Sequence, residues 1–174
     1  MSRVIEMSSK ITLCKIKDLL PIDKVFLLAA QEARRNAQAP YSNFKVGAAV
    51  SCSDTIFTGV NVERCTYTQT THAEQNAIDS MVATLGPAPL KAVAVCIIDP
   101  NDDRDLDLEE INLNEVAFPC GHCLQIIWEN CDNQNVQIFT MVTNKIVAMA
   151  SISDLLPVRF GPTSLGVNVF CPDQ

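Results

Sequence analysis

Two short segments of the sequence combine residue types that bind a metal ion with one that moves a proton. His72 and Glu74 form the first segment, and Cys120 and Cys123 follow Pro119 in the second. An imidazole and two thiolates are typical zinc ligands, and three protein ligands leave the fourth position open for a water molecule. A carboxylate beside that position can accept a proton from the water. The pattern predicts a catalytic metal centre in which Glu74 is the general base.

Both segments are expected where helices begin. Cys120 and Cys123 are spaced to lie on one face of a helix, and Pro119 suits the start of that helix. The positive end of the helix dipole stabilises thiolates there. His72 and Glu74 would point to nearly opposite sides of a regular helix, so they can serve one site only at a helix start. We therefore expect two helix N-termini to converge on one metal ion.

Single residues of this pattern are also compatible with roles outside a metal centre. Thr71 and Glu74 match the spacing of a capping box, in which the carboxylate caps its own helix. His122 is the other histidine of the chain and could compete for the metal. It lies between two cysteines that share a helix face, so it should point away from that face. The joint occurrence of all four residue types in this order favours the catalytic interpretation.

Composition and charge restrict the class of function. The chain has 174 residues, 48% of them apolar, and a net charge of −7, which is typical of one globular domain. The segment Asp99–Glu115 holds eight acids and one arginine, and we expect it to be a solvated surface loop. No basic stripe suits a nucleic acid backbone, and no apolar run suits a membrane span. A small uncharged substrate is therefore predicted.

The cysteines and the first residues indicate a compartment. Residues 1–20 mix acidic and basic side chains without an apolar stretch, which is not the pattern of a secretory signal. Eight cysteines could form disulfides, but without a secretory signal we expect a reducing environment, where a C-x-x-C pair more often serves metal or redox chemistry. We expect a cytoplasmic protein.

Hydrophobic periodicity predicts the elements that position the ligands. Helices are expected over 23–38, 71–85, 120–130 and 152–156, and strands over 44–51, 55–60, 91–98, 136–142 and 145–150. This alternation predicts an α/β fold with a mixed sheet. We expect a single domain over 1–174, with a variable lead-in over 1–20 and an acidic insertion over 99–117.

The chain resembles the cytidine deaminases in several segments that follow the family's order. Residues 39–48 resemble its nucleoside-side loop and first strand, 59–63 its ribose-binding segment and 155–162 its C-terminal signature. Residues 71–75 are similar to the metal motif of its larger, two-domain dimeric members. The likeness runs from about Ala29 to Leu165.

The resemblance implies a three-layer α/β/α fold around a central mixed sheet of five strands. It implies hydrolysis of cytidine and deoxycytidine to uridine and deoxyuridine in pyrimidine salvage, with one Zn²⁺ per chain held by His72, Cys120 and Cys123. Zinc-activated hydroxide would attack C4 of the base. Glu74 would carry the water's proton to the ring nitrogen and then to the departing amine.

The resemblance also implies substrate contacts and an assembly. Phe44 would pack on the pyrimidine, Asn61 and Glu63 would bind the ribose hydroxyls, and the Ala73 N–H would bind the base carbonyl. On residue pattern alone, these side chains could equally be core or surface residues. Phe160 would approach a neighbouring subunit's site. The metal motif is of the type found in two-domain members, whereas this chain is expected to have one domain. Other copies of the chain would therefore complete the active site, in a homotetramer or, as second choice, a homodimer.

The chain departs from the family pattern at Leu124, where arginine is usual, and at Phe118, where serine or threonine is common.

Four other functions would each require different residues in the sequence. A deoxycytidylate deaminase needs cationic groups for the phosphate, and a tRNA or DNA deaminase needs a basic surface. A blasticidin-type deaminase would lack Glu63, and a non-catalytic zinc protein would lack Glu74.

Overall fold

Strands and helices alternate along the chain in a computed structural model that describes residues 2–99, 101–131, 136–167 and 169–170. These ranges contain six strands and four α-helices. Their bounds are β1 Thr12–Lys15, α1 Pro21–Arg34, β2 Gly47–Cys52, β3 Thr55–Val60, α2 Ala73–Leu85, β4 Ala92–Cys96, α3 Gly121–Glu129, β5 Gln137–Met141, β6 Ile146–Ser151 and α4 Ile152–Leu155.

The strands form one mixed sheet in the order β1-β6-β5-β4-β2-β3. The β4–β5 pair is parallel and the other pairs are antiparallel. The predicted mixed sheet is confirmed, with one more strand than the five expected. The additional strand β1 lies in the segment expected to be a lead-in and pairs with β6, so that Leu13 lies opposite Ala148. Four residues are too few to show a clear strand period.

Helices cover both faces of this sheet, as expected for three layers. Side chains alternate between the faces along a strand. Ala48 of β2 therefore packs in the same cluster as Ile78 of α2, and its neighbour Ala49 packs in the cluster of Phe26 of α1. Strand β4 is buried on both sides, which accounts for its continuous apolar run.

Close approach of helix to strand depends on two glycines. A Cβ on Gly47 would lie 2.1 Å from the Ala30 carbonyl oxygen of α1. A Cβ on Gly59 would lie 2.4 Å from the Ala73 carbonyl oxygen and 2.3 Å from the Ala77 nitrogen. These glycines let β2 touch α1 and let β3 touch the first turns of α2. Gly59 therefore sets where α2 begins relative to the sheet.

The helix bounds differ slightly from those predicted. Helix α1 starts at Pro21, a residue suited to a first helical position, and ends at Arg34 rather than at residue 38. After it, the chain turns back so that the Gln38 N–H donates to the Asn61 carbonyl at 3.1 Å. The predicted β2–β3 hairpin is present, with Ser53 in the left-handed region at φ 53°. No helix in the described ranges is long and apolar enough to span a membrane.

The acidic segment is not only a solvated loop, because part of it packs against the sheet. Its charged side chains are mostly exposed, but four of its apolar side chains pack on the outer strands of the sheet. They are Leu106, Leu108, Ile111 and Val116, and they contact a cluster formed by Val142, Ile146 and Ala148. The charge of the segment predicted only its exposed side, because these apolar residues follow no helical or strand period.

Candidate metal centre

His72 and Cys120 begin the two helices that meet at the centre. His72 is the N-cap of α2 and Cys120 the N-cap of α3, both with extended backbone. Neither side chain caps its own helix, so both are available to a ligand. Pro119 comes one residue before the α3 cap and is buried. Cys123 follows in the first turn of α3 with its side chain fully buried.

The three ligand atoms converge. His72 Nδ1 lies 3.5 Å from Cys120 Sγ and 3.3 Å from Cys123 Sγ. In a tetrahedral zinc site, Zn–S bonds of about 2.3 Å and Zn–N bonds of about 2.0 Å put nitrogen and sulfur about 3.5 Å apart. Within the described ranges, His72, Cys120 and Cys123 are the one group of three or more His, Cys, Asp or Glu side chains whose ligand atoms all lie within 4.8 Å of one another. The arrangement fits zinc with one coordination position open.

Electrostatics also favours a cation here. Burial raises the pKa of the Cys123 thiol, and the nearby Glu74 carboxylate and Cys120 thiol raise it further. A thiolate in this position therefore needs positive charge beside it. Zinc with two thiolates and a neutral imidazole is formally neutral, and the helix dipoles add partial positive charge. The donor set and its surroundings are those of a metal site.

Glu74 lies at the second position of α2, and its side chain is 6% exposed. Helix α2 starts at Ala73, with His72 as cap, so Thr71 precedes the cap position. The capping-box alternative for Thr71 and Glu74 is therefore not supported. The Glu74 carboxylate is buried beside the metal ligands without serving as a helix cap.

A pocket of about 260 Å³ opens beside the ligands. Six of the predicted site residues line it: Phe44, Asn61, His72, Ala73, Glu74 and Cys120. Cys123, which is fully buried, is not part of the lining, and neither are Glu63 and Phe160. The remaining lining residues are Val46, Thr70, Val95, Ile97, Ala117 and Phe118. Of these, the sequence motifs singled out only Phe118, although Val95 and Ile97 lie at the end of a central strand, where ligands of α/β sheets often bind.

Asn61 holds the loop that carries Phe44. Its Nδ2 donates to the Phe44 carbonyl at 2.8 Å, and its Oδ1 accepts from the Val46 N–H at 2.8 Å. An amide has two N–H groups and two lone pairs, so each end of Asn61 retains capacity for one more partner. Phe44 is 53% exposed, so it is a pocket residue and not a core residue.

Glu63 fastens the same loop from outside the pocket. Its carboxylate accepts from the Tyr41 N–H at 2.9 Å, from the Ser42 N–H at 3.2 Å and from the Ser42 hydroxyl. The Ser42 hydroxyl, followed by the Tyr41 N–H, lowers the pKa of Glu63. Glu63 therefore contacts the loop through Tyr41 and Ser42 and does not contact the pocket through Phe44 itself.

A small bridge links the predicted ribose segment to the metal segment. The Val62 N–H donates to the Thr71 carbonyl at 2.9 Å, and the Thr71 N–H donates to the Val62 carbonyl at 3.1 Å. This pair closes the loop 63–70 and brings Asn61 next to His72 in space. Both therefore line one pocket although the loop separates them in sequence.

Two further residues lie near the centre but outside the ligand group. His122 is exposed, and its ring centroid is 5.3 Å from that of His72. Phe160 is 64% exposed, and its carbonyl accepts from Gln125 Nε2 of α3 at 2.8 Å. Phe160 does not reach the pocket of its own chain, so its predicted approach to a neighbouring site stays a prediction.

Comparisons with known proteins agree with this geometry. Residues 21–140 match the family model described as the cytidine and deoxycytidylate deaminase zinc-binding region. The chain is 31% identical to a cytidine deaminase of Sporosarcina psychrophila over 137 residues, or 78% of this chain and 89% of the relative. It superposes on a crystal structure of cytidine deaminase from Burkholderia pseudomallei with a TM-score of 0.62 at 33% identity, covering 78% of this chain and 97% of that one. The chain superposes on a crystal structure of cytidine deaminase from Mycobacterium leprae with a TM-score of 0.60 at 33% identity, covering 80% of this chain and 99% of that one.

Proposed function

The chain belongs to the cytidine and deoxycytidylate deaminase family, and we propose that it hydrolyses free cytidine and deoxycytidine to uridine and deoxyuridine, releasing ammonia. The observation that carries this proposal is the convergence of His72, Cys120 and Cys123 beside a buried carboxylate, Glu74, in one pocket. The reaction belongs to pyrimidine salvage.

The ligands His72, Cys120 and Cys123 hold one Zn²⁺ per chain. When bound, zinc lowers the pKa of a water molecule toward neutrality and so supplies a nucleophile for C4 of the base. Glu74 takes one proton of that water and delivers it to the ring nitrogen, and then transfers the other proton of the same water to the departing amine, which leaves as ammonia. Its burial in the pocket wall keeps bulk water from competing for these protons.

An uncharged nucleoside suits the pocket better than a nucleotide. In the described part of the chain, none of the residues lining the pocket is lysine or arginine, so no cation there would bind a phosphate. The whole chain has 13 basic and 20 acidic residues, which also disfavours a nucleic acid substrate. These charges are the reason to prefer cytidine and deoxycytidine over deoxycytidylate, tRNA or DNA.

Each part of the nucleoside has a candidate partner. The Ala73 N–H is at the first position of α2 and has no acceptor within the helix, so it is available to the base carbonyl. The exposed ring of Phe44 packs on the pyrimidine. Asn61 offers its remaining N–H and lone pair to the ribose hydroxyls. Glu63, next to the loop, offers the same hydroxyls the remaining acceptor capacity of its carboxylate.

We also propose a cytoplasmic homotetramer, with a homodimer as second choice. Apolar side chains exposed in the C-terminal segment support association, because assembly would remove them from water. They are Val158, Phe160, Leu165 and Val167. Phe160 is the residue proposed to reach a neighbouring pocket. The cytoplasm is proposed because Cys14, Cys52, Cys65 and Cys96 are not in disulfides.

A direct assay tests the proposed function. The zinc-loaded protein should deplete cytidine or deoxycytidine, followed by ultraviolet absorbance, with equimolar release of ammonia, and a chelator should abolish turnover. Deoxycytidylate serves as the competing substrate. Absence of turnover on both nucleosides would refute the proposal, and turnover of deoxycytidylate alone would move the substrate assignment to the nucleotide. Mass measurement in solution tests the assembly.

A further inference from the structure

Residues 101–117, named here the strap, connect the end of β4 to the segment that starts α3. The strap is fixed to the sheet by apolar contacts. Its side chains Leu106, Leu108, Ile111 and Val116 pack against Val142, Ile146 and Ala148 of the β5–β6 region. These contacts give the acidic segment a defined path across the outer strands.

Polar contacts hold the first residues of the strap. Lys15 Nζ of β1 lies 2.5 Å from Asp105 Oδ1 and donates to the Leu106 carbonyl at 2.7 Å. The Asn144 N–H donates to the Asp102 carbonyl at 3.1 Å. The strap is therefore attached to the β1 edge of the sheet as well as to the β5–β6 turn.

The last residue of the strap is held from inside the protein. Thr140 of β5 is fully buried, and its hydroxyl donates to the Ala117 carbonyl at 2.8 Å. Ala117 and Phe118 both line the pocket. Phe118 also packs against two apolar clusters, the one under the strap and the main core beneath α2 and α3. Moving its ring would disturb both clusters, so Phe118 is a rigid part of the pocket wall.

Phe118 lies across the pocket from Asn61. Asn61 follows β3, whereas Ala117 is tied to β5, and the sheet order β5-β4-β2-β3 puts three strand spacings between them. At about 4.8 Å per spacing, this is about 14 Å. With the ribose on the Asn61 side, the base points toward Phe118. Phe118 is also two residues from the ligand Cys120, and both residues line the pocket. Because C4 must come close to the metal ligands to react, its amino group would lie on this side of the pocket.

Building on the proposed function, we propose that Phe118 determines specificity at the exocyclic nitrogen of the base. Its ring, held by the strap and Thr140, leaves room for an unsubstituted amine and excludes substrates that carry an alkyl group on that nitrogen. The accepted substrates are therefore pyrimidine nucleosides with a primary 4-amino group.

Replacing Phe118 by alanine tests this proposal. Cytidine releases ammonia and N4-methylcytidine releases methylamine, while both give uridine, so one product assay serves both substrates. In Phe118→Ala, kcat/KM for N4-methylcytidine relative to cytidine should rise roughly tenfold to a hundredfold over the native ratio, the usual range for one methyl group. Phe57→Ala is the matched control, because Phe57 packs on the main core and does not line the pocket. Its ratio should stay native.

A binding measurement separates recognition from chemistry. On a Glu74→Gln background, calorimetry should show N4-methylcytidine binding more tightly after Phe118→Ala, with cytidine binding changed much less. If the alanine variant folds poorly, Phe118→Leu serves in its place because leucine keeps an apolar contact. It should shift the kcat/KM ratio and the binding of N4-methylcytidine in the same direction by a smaller factor. Native turnover of cytidine with an unchanged ratio and unchanged binding in both variants would overturn the role of Phe118 alone. No cytidine turnover by the native protein would overturn the proposed function with it.

Discussion

His72 and Cys120 occupy the same position on two different helices, and their ligand atoms lie 3.5 Å apart. Each residue is an N-cap with extended backbone, the position where a side chain normally binds the free N–H groups of its own helix. Here both side chains turn to the shared centre instead. The helices therefore keep free N–H groups at their starts, and those groups favour negative charge on ligands and substrate at the same place.

Glu74→Gln should retain zinc and lose turnover. The amide cannot accept and return a proton, so kcat should fall by a factor of about 10² to 10⁴, the usual contribution of a general base. Metal analysis and a uridine assay on one preparation measure the two effects. Asp79→Asn, on the exposed face of the same helix, is the control and should be indistinguishable from the native protein. Native activity in Glu74→Gln would contradict the proton-transfer role.

His72→Ala should lose zinc, whereas His122→Ala should keep it. Only the His72 ring places a nitrogen within 3.5 Å of both cysteine sulfurs among the described residues. Zinc stoichiometry after dialysis against a weak chelator measures the difference, and it should fall from about one per chain to near zero in His72→Ala. Full occupancy of His72→Ala combined with loss in His122→Ala would reverse the ligand assignment.

Zinc affinity should increase with pH through the neutral range. The raised pKa of Cys123 means that its thiol is protonated in the metal-free protein at neutral pH, so zinc must displace that proton. Lower pH favours the protonated thiol and weakens binding; higher pH has the opposite effect. Each displaced proton changes the apparent affinity by about tenfold per pH unit. Competition with a chromogenic chelator between pH 6 and 8 measures the slope, and a flat profile would contradict a protonated Cys123.

Gly59→Ala should destabilise the protein and weaken the metal centre. The added Cβ would lie 2.3 Å from the Ala77 nitrogen and 2.4 Å from the Ala73 carbonyl, so the start of α2 must shift. Overpacking of this kind costs about 1–3 kcal/mol. Denaturant unfolding gives the free-energy change, and chelator competition gives the zinc affinity. Gly121→Ala is the matched control, since its Cβ meets nothing within 4 Å; equal losses in both variants would exclude a steric cause.

The ligand spacing and the position of the ligands at helix starts were enough to predict which helices meet at the centre. His72 and Cys120 at neighbouring helix starts follow from residue chemistry and from helix periodicity, which are local properties. The order of helices and strands predicted the layers for the same reason. The expected sheet lacked only β1, which is too short to show a period.

Long-range contacts account for what could not be predicted from the sequence. Nothing local indicates that the Asn61 amide binds the Phe44 carbonyl, or that Thr140 donates to Ala117, because each pair joins segments from different strands. The apolar residues of the strap are likewise interspersed among acids, so only their contacts with the sheet reveal their packing. Glu63 was expected at the ribose, and its contacts with Tyr41 and Ser42 could not be read from the motif alone.

The paired hydrogen bonds between Val62 and Thr71 close the base of a loop whose outer turn, 66–68, does not line the pocket, whereas Thr70 at its inner end does. Asn61 and His72 are held in place by strand β3, the Val62–Thr71 bridge and the start of α2. Their positions do not depend on the residues at the tip of the loop. Within that loop, the turn 66–68 is exposed and Tyr67 has a φ of 51°. This turn is accordingly a suitable acceptor position for a short peptide tag or a fluorescent label. An insertion there would lie outside the Val62–Thr71 bridge, which holds Asn61 and His72 together.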